Sequence, residues 1–272
     1  MNLTQQQISI IGCGWLGFPL AQQLLKEGFS VKGSTTTPGK LSQLRTAGIK
    51  SYTLKLNTST STEQIIPVLK NSNAVIVNIP PGLRRLPNKN HVEEIEQLVD
   101  AIVAAHVPHV LFVSSTSVYK NECPIPTYTE SNAPNSKEPS GVQLKTIEAM
   151  LHANLHFRTT VVRFGGLIDD ERHPAKYLSG KSNLKNPEAP INLIHKVDAI
   201  NILIKILKEA HWQETFNAVY PRHPSRENFY TSHCKSQNLP LPEFNTSGVS
   251  VGKIIRSEKL VQLLNYNYIQ SP

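Results

Sequence analysis

An apolar, β-branched run at Ile8–Ile11 leads directly into Gly12-Cys13-Gly14-Trp15-Leu16-Gly17, and residues with helical spacing follow over Leu16–Glu27. Three glycines at this spacing, set between a strand and a helix, constrain the fold more than any other feature of the chain. Each meets a different steric demand. Gly12 permits a tight turn, Gly14 lets bare backbone approach a pyrophosphate, and Gly17 allows the helix to pack closely on its strand, while the helix N-terminus attracts the phosphates. The spacing predicts that Gly12, Gly14, Trp15, Leu16 and Gly17 cradle a dinucleotide.

The same alternation of strand and helix continues through the first 165 residues. Ile8–Ile11, Phe29–Gly33, Tyr52–Leu56, Ala74–Ile79, His109–Ser114 and Thr159–Phe164 read as strands, apolar enough to be buried on both faces of a parallel sheet. Leu16–Glu27, Gly39–Ala47, Thr62–Asn71, His91–His106 and Val142–His152 read as the helices that cross between them. The expected fold class is α/β, a doubly wound parallel sheet of Rossmann type over residues 1–165. Beyond Phe164 the pattern becomes Pro-rich and irregular, with helices near Val197–Lys208, Ser225–Ser236 and Ser257–Leu264. Residues 166–272 therefore read as a smaller substrate-binding lobe that returns to the sheet through Thr215–Val219.

The second strand sets the expected cofactor. A site for NAD places an acid about 20 residues past the glycines to bind the ribose 2′-hydroxyl. No Asp or Glu occurs from Gly28 to Thr62, whereas Lys32, Lys40, Arg45, Lys50 and Lys55 do. Ser34, Thr35 and Thr36 with Lys40 are suited to a 2′-phosphate, so NADP(H) is expected in preference to NAD(H). The competing reading is a solvated helix and loop face. Pro80 and Pro81, after the fourth strand, fall at the carboxyl edge of the sheet and are expected to border the cofactor.

Charge and composition remove several classes of function. A formal charge of +8 favours anionic ligands, but the basic residues are dispersed, with no basic run or interleaved aromatic platform, which argues against nucleic acid. The polar stretch Met1–Gln7 and the lack of any long apolar run argue against secretion and membrane insertion and point to the cytoplasm. Cys13, Cys123 and Cys234 are scattered and read as free thiols. His152 and His156 have a four-residue spacing but no third ligand, so no metal is expected. Arg84 and Arg85 read as solvated loop cations.

The fifth strand runs into Ser114-Ser115-Thr116-Ser117-Val118-Tyr119. This resembles the SSxxVYG signature of the extended short-chain dehydrogenases, the sugar-nucleotide epimerase and dehydratase family. Arg163-Phe164-Gly165-Gly166-Leu167, Asn192-Leu193-Ile194-His195-Lys196-Val197-Asp198 and Phe216-Asn217 extend the resemblance over nearly the whole chain, and Arg172-His173-Pro174 makes it most similar to the YeeZ-type atypical branch. The resemblance implies that Ser115, with Thr116 beside it, orients the substrate oxygen. It implies too that Ser114 and Lys145 border the cofactor, with Lys145 binding the nicotinamide ribose as the lysine of a YxxxK motif. The tyrosine of that motif is replaced by Gly141. Tyr119 and Tyr128 are then the alternative sources of a phenol, against the competing reading of packed aromatics with satisfied hydroxyls. Arg172, His173, Asn192 and His195 are the implied substrate contacts, with a structural role the competing reading for the histidines. The expected function is an NADP(H)-linked epimerase, dehydratase or reductase acting on a small molecule such as a sugar nucleotide, as a homodimer. The alternative is a dinucleotide sensor without catalysis.

Overall fold

The computed structural model describes residues 6–57 and 59–272; Met1–Gln5 of the polar N-terminal stretch, and Thr58, lie outside them. In chain order the first half contains β1 (Gln7–Ile11), α1 (Gly17–Lys26), β2 (Ser30–Thr35), α2 (Leu41–Thr46), β3 (Lys50–Thr53), α3 (Thr62–Leu69), β4 (Ala74–Val77), α4 (His91–Ala104) and β5 (His109–Ser115). There follow β6 (Thr127–Tyr128), α5 (Pro139–Ala153), β7 (Arg158–Phe164), β8 (Gly166–Ile168), α6 (Ala175–Leu178) and β9 (Leu193–His195). The last elements are α7 (Lys196–Glu209), β10 (Thr215–Ala218), α8 (Arg226–Ser236), β11 (Ile254–Ile255) and α9 (Glu258–Leu263).

Seven strands form one parallel sheet in the order β10-β7-β5-β4-β1-β2-β3. The chain therefore winds outward from β1 in both directions, and the order reverses between β1 and β4. In register, Ile8 lies opposite both Val31 and Ala74, and Ile11 lies opposite Val77. Ile10, Val75, Ile76 and Val77 are wholly buried, as strands covered on both faces must be. The α/β doubly wound class expected from the alternation is the class observed. One strand is displaced: the apolar run at Tyr52–Leu56 predicts a strand there, but β3 is Lys50–Thr53. β3 sits at the sheet edge and is not buried on either face, so apolar content does not mark its limits; Leu54 continues past it, bonded to the Thr35 carbonyl.

The chain packs as two compact units. One comprises Met1–Ser115, Pro139–Val162 and Ile200–Thr215, the other Thr116–Glu138, Arg163–Ala199 and Phe216–Pro272. The first holds β1 to β5 with their crossover helices. The apolar stripe of α1 (Leu20, Ala21, Leu24) is fully buried, and Ser61 with Gln64 closes a capping box at the start of α3.

The second unit is built from short pieces. β8 pairs with β9 and β11 with β6, both parallel, and α6 packs on α8 through Ala175, Tyr230 and Cys234. Strands of two or three residues carry no readable period, which is why they are invisible in the sequence. Asp198, in the first turn of α7 and fully buried, accepts hydrogen bonds from the Tyr266 hydroxyl (2.7 Å), Ile269 N–H (2.8 Å) and Gln270 N–H (3.0 Å). It ties the last residues of the chain to α7. Asp198→Ala leaves these donors without their acceptor and should cost about 3 kcal/mol in a urea unfolding titration; a loss under about 1 kcal/mol would refute the clamp.

Candidate functional site

In the first unit, the glycine loop is fixed from both flanking strands. Gly12 N–H donates to Ser34 Oγ (3.1 Å) and Cys13 N–H to the Ser34 carbonyl (2.7 Å), both on β2. From the other side, beyond the end of β4, Asn78 Nδ2 donates to the Gly12 carbonyl (3.0 Å). Gly12 has φ +106°, and a Cβ there would overlap the Asn78 carbonyl; a Cβ on Gly17 would overlap the carbonyl of Gly12. Gly14 differs: it is exposed, and a Cβ would meet nothing within 4 Å. Among the described residues none requires its smallness, which leaves room for a ligand. The first turn of α1 contains no acid, so its positive end is uncompensated. Cys13 is buried, its thiol pushed up to about 12 by desolvation, and it fills space beside Gly33.

A cleft of about 210 Å³ opens at the carboxyl ends of β1 to β4, lined by Ile11, Gly12, Ser34, Thr35, Thr36 and Ile79. Lys55, Lys89 and Glu94 also border it. The expected phosphate ligands divide here. Ser34 is 2% exposed and its hydroxyl accepts the Gly12 N–H, while Thr35 is buried with its hydroxyl accepting the Thr37 N–H (3.2 Å). These two hydroxyls shape the loop. Thr36 and Lys40 are exposed. Trp15 is half-buried and Leu16 buried; Pro80 is exposed and Pro81 half-buried. Lys89 and Glu94, which sequence reasoning missed, form an ion pair (2.8 Å), and Glu94 also meets His91 Nδ1 (3.0 Å). Burial holds His91 below the ordinary imidazole range. The Asn90 side chain accepts the Glu93 N–H and caps the start of α4 among these residues.

Ser115 ends β5, half-buried, and Thr116 opens a 3-10 turn over Thr116–Val118. The Ser114 hydroxyl donates to buried Glu148 on α5 (2.6 Å), an anchor that the motif reading did not anticipate. Gly141 and Lys145 lie one turn apart on α5, and Gln143 between them accepts the His91 N–H (2.8 Å) and donates to the Lys89 carbonyl (3.0 Å). Lys145 is half-buried. α5 stops at Ala153, so His152 and His156 share no helix face; His152 meets the Thr215 hydroxyl (3.1 Å). Arg84 and Arg85 are exposed.

In the second unit, the motifs behind the resemblance converge on Tyr119. It is buried, receives a hydrogen bond from Arg163 Nη1 (2.5 Å), and lies within bonding reach of the Thr129 carbonyl (3.0 Å) and Asn217 Oδ1 (3.3 Å). Its ring stacks on Tyr128 (4.8 Å). Burial raises the Tyr119 phenol above its ordinary range, against the pull of Arg163. The Tyr128 hydroxyl is shared between Glu122 (3.1 Å) and Asn135 (3.0 Å). Asn192 spends both ends of its amide on one backbone segment: Nδ2 donates to the Lys253 carbonyl (2.8 Å) and Oδ1 accepts the Ile255 N–H (2.9 Å).

His173 and His195 are brought to one polar cavity of about 280 Å³, with Asp169, Asp170, Lys176 and His233. Each spends Nδ1 on a helix start, accepting the Ala175 N–H (3.2 Å) and the Val197 N–H (3.3 Å) respectively. The His173 ring stacks on His233 at 3.5 Å, and burial with that neighbour lowers it to about 4. Arg172 is exposed, its backbone N–H donating to Asp169 (2.6 Å).

A family described as NAD(P)H-binding matches residues 12–197, more than half of the chain. The chain belongs to this NAD(P)H-binding family. It is 29% identical to protein YeeZ of Escherichia coli K12 over 265 residues, 97% of this chain and 96% of YeeZ. Its fold is that of a structure described as a putative NAD-dependent epimerase/dehydratase from Methylobacillus flagellatus (TM-score 0.79, 22% identity, 97% of this chain and 93% of that one). The UDP-glucose 4-epimerase of Thermotoga maritima, solved with UDP-glucose, shares it too (TM-score 0.78, 15% identity, 98% and 94%). The glycine loop of this family member begins at the first matched residue, Gly12. Among the described residues no helix is long and apolar enough to cross a membrane, and no three His, Cys, Asp or Glu side chains cluster to hold a metal.

The glycines separate in a mutational test. Gly14→Ala should keep the wild-type melting temperature and weaken NADPH binding at least roughly tenfold, since the added methyl meets only the ligand. Gly12→Ala, forced into a positive φ against the Asn78 carbonyl, should lose about 2 kcal/mol or more of stability. Comparable melting of the two variants would remove the distinction. His173, lowered in the folded state, makes the protein less stable as pH falls from 6.5 towards 4, because the unfolded chain binds the extra proton. His173→Asn keeps an acceptor for the Ala175 N–H and should flatten the acid limb of a stability–pH curve.

Proposed function

We propose that the protein is an NADP(H)-linked enzyme of the epimerase, dehydratase or reductase type, acting on a small molecule, of which a sugar nucleotide is the leading class. The observation that carries this reading is the pairing of an open glycine loop with Ser115 at the carboxyl end of β5 and Lys145 on α5. The cradle fits the cofactor: Gly14 leaves its face clear and the first turn of α1 offers unopposed positive charge to a pyrophosphate. When bound, the nicotinamide supplies hydride transfer. In this reading Lys145 holds the ribose, Ser115 with Thr116 orients the reacting oxygen, and residues 166–272 supply substrate contacts. The bound UDP-glucose of the Thermotoga maritima epimerase supports the substrate class.

Preference for NADP rests on charge. The acid that would receive a ribose 2′-hydroxyl is missing, Thr36 and Lys40 are exposed beyond β2, and Lys55 and Lys89 border the cleft. A cytoplasmic homodimer completes the proposal. The second reading, a dinucleotide sensor, is favoured by one observation, Gly141 in the tyrosine position of α5. Loss of a positioned acid costs roughly 10²- to 10⁴-fold in rate.

Titration with NADPH and NADH, followed by the fluorescence of Trp15 in the glycine loop, tests the cofactor; tighter binding of NADPH is expected, and equal or absent responses defeat the preference. Hydride transfer with UDP-glucose or UDP-N-acetylglucosamine separates enzyme from sensor. On a substrate that turns over, Ser115→Ala should lower kcat at least roughly 10²-fold.

A further inference from the structure

Among the described residues Lys253 is a cation with no carboxylate partner. Its side chain is half-buried in the second unit, just before β11, and its ammonium donates to the backbone carbonyl of Tyr119. Among the described residues no carboxylate reaches it. The charged groups on the segments around it are engaged elsewhere: Glu122 with Lys120 (2.7 Å) and the Tyr128 hydroxyl, and Arg163 with the Tyr119 hydroxyl. Arg256, on its own segment, faces Glu258 (3.6 Å). A charge withdrawn from water without a counter-charge is costly, and a fold tolerates one where a ligand supplies the missing partner. Burial alone holds this ammonium down to about 8, so it is largely protonated at neutral pH but easily discharged above it.

Its position is fixed. Asn192 grips the carbonyl of Lys253 itself and the N–H of Ile255 two residues on, while Gly252 exchanges N–H and carbonyl with Glu122 (3.1 and 2.9 Å). The carbonyl that Lys253 touches belongs to the turn that opens at Thr116, directly after Ser115, and Tyr119 N–H closes that turn on the Thr116 carbonyl (3.1 Å). The lysine is thus held on the segment through which the serine motif enters the second unit.

We propose that Lys253 receives an anionic oxygen of the substrate, a phosphate or a carboxylate, and that Asn192 is a positioning residue acting through it rather than a substrate contact. This deepens the proposed function, resting on its assignment of substrate contacts to residues 166–272. No bond is made or broken at the lysine. It neutralises the charged end of the substrate and so anchors that end in the second unit.

The test uses the full chain, with UDP and inorganic pyrophosphate as phosphate probes and glucuronate as a carboxylate probe, each titrated calorimetrically in the presence of saturating NADPH. Lys253→Met is expected to bind the responding probe about 10- to 100-fold more weakly, the scale of one charge-assisted hydrogen bond, with NADPH affinity unchanged. Asn192→Ala should weaken the same probe, and adding it to Lys253→Met should weaken binding no further, a non-additivity that two independent structural lesions would not give. Wild-type affinity should fall as pH rises through about 8, a measurement that needs no variant to fold. Equal UDP binding by wild type and Lys253→Met, or affinity indifferent to pH in that range, overturns the role of Lys253 and leaves the sugar-nucleotide reading intact. Pyrophosphate or glucuronate binding that depends on Lys253, with no response to UDP, supports the lysine and refutes the nucleotide. No response to any probe overturns both.

Discussion

The close approach of Gly12 to the backbone beyond β4 is the contact on which the rest of the first unit depends. With φ at +106° and no Cβ, Gly12 turns beneath the Asn78 carbonyl while its own carbonyl receives the Asn78 amide. That one approach lets the chain leave β1 and start α1 within five residues, and it fixes where the N-terminus of α1 emerges. Gly17 can then seat against the Gly12 carbonyl, which brings Leu20, Ala21 and Leu24 down onto the sheet. Ser34 completes the hold from β2. The charge-accepting end of α1 is therefore aimed by steric exclusion, and its lack of acidic residues leaves that end electrostatically open.

A different principle organises the second unit, where β6, β8, β9 and β11, of two or three residues each, have too little propensity to stand alone. Polar side chains do there what long strands do in the sheet. Asn192 substitutes for a strand neighbour by pairing with backbone on both sides of Ile254, Asp198 gathers three donors from the end of the chain, and Ser257 accepts the Val219 N–H (3.0 Å). Asn217 links the Tyr119 hydroxyl to the Arg256 carbonyl, while its backbone N–H donates to Glu130 (2.7 Å). Desolvation raises the Glu130 carboxyl above its usual range. Such groups are unforgiving, since removal of one strands its partners in a buried setting.

This contrast explains what the sequence made legible. The sheet was readable because burial on both faces demands largely apolar runs, as in Ala74–Val77 and in Ile8–Ile11, where the one polar residue, Ser9, is buried with its hydroxyl bonded to the Val68 carbonyl. The glycine loop was readable because φ at Gly12 and close approach at Gly17 each exclude a side chain. Composition near a site does not say which way an oxygen points: β2 buries the hydroxyls of Ser34 and Thr35, and Thr36 beyond it is exposed. Asn192, His173 and His195 sit in motifs, but a motif records that a residue is needed, not whether its partner is a ligand or a peptide group. Lys253 had no local signature at all, because the absence of a counter-ion is a property of three-dimensional surroundings.

The replacement at Gly141 matters more once the two other phenols are placed. A tyrosine serves as a proton donor when its hydroxyl is reachable and its pKa is brought down toward neutrality. Tyr119 is enclosed by Arg163, Asn217 and Thr129 and pushed upward by burial. Tyr128 is likewise raised, its hydroxyl held between Glu122 and Asn135. Under the proposed function, with no phenol at 141, the acid–base work would fall on Ser115, Thr116, water or the substrate itself. That burden favours chemistry in which the reacting carbon is already activated.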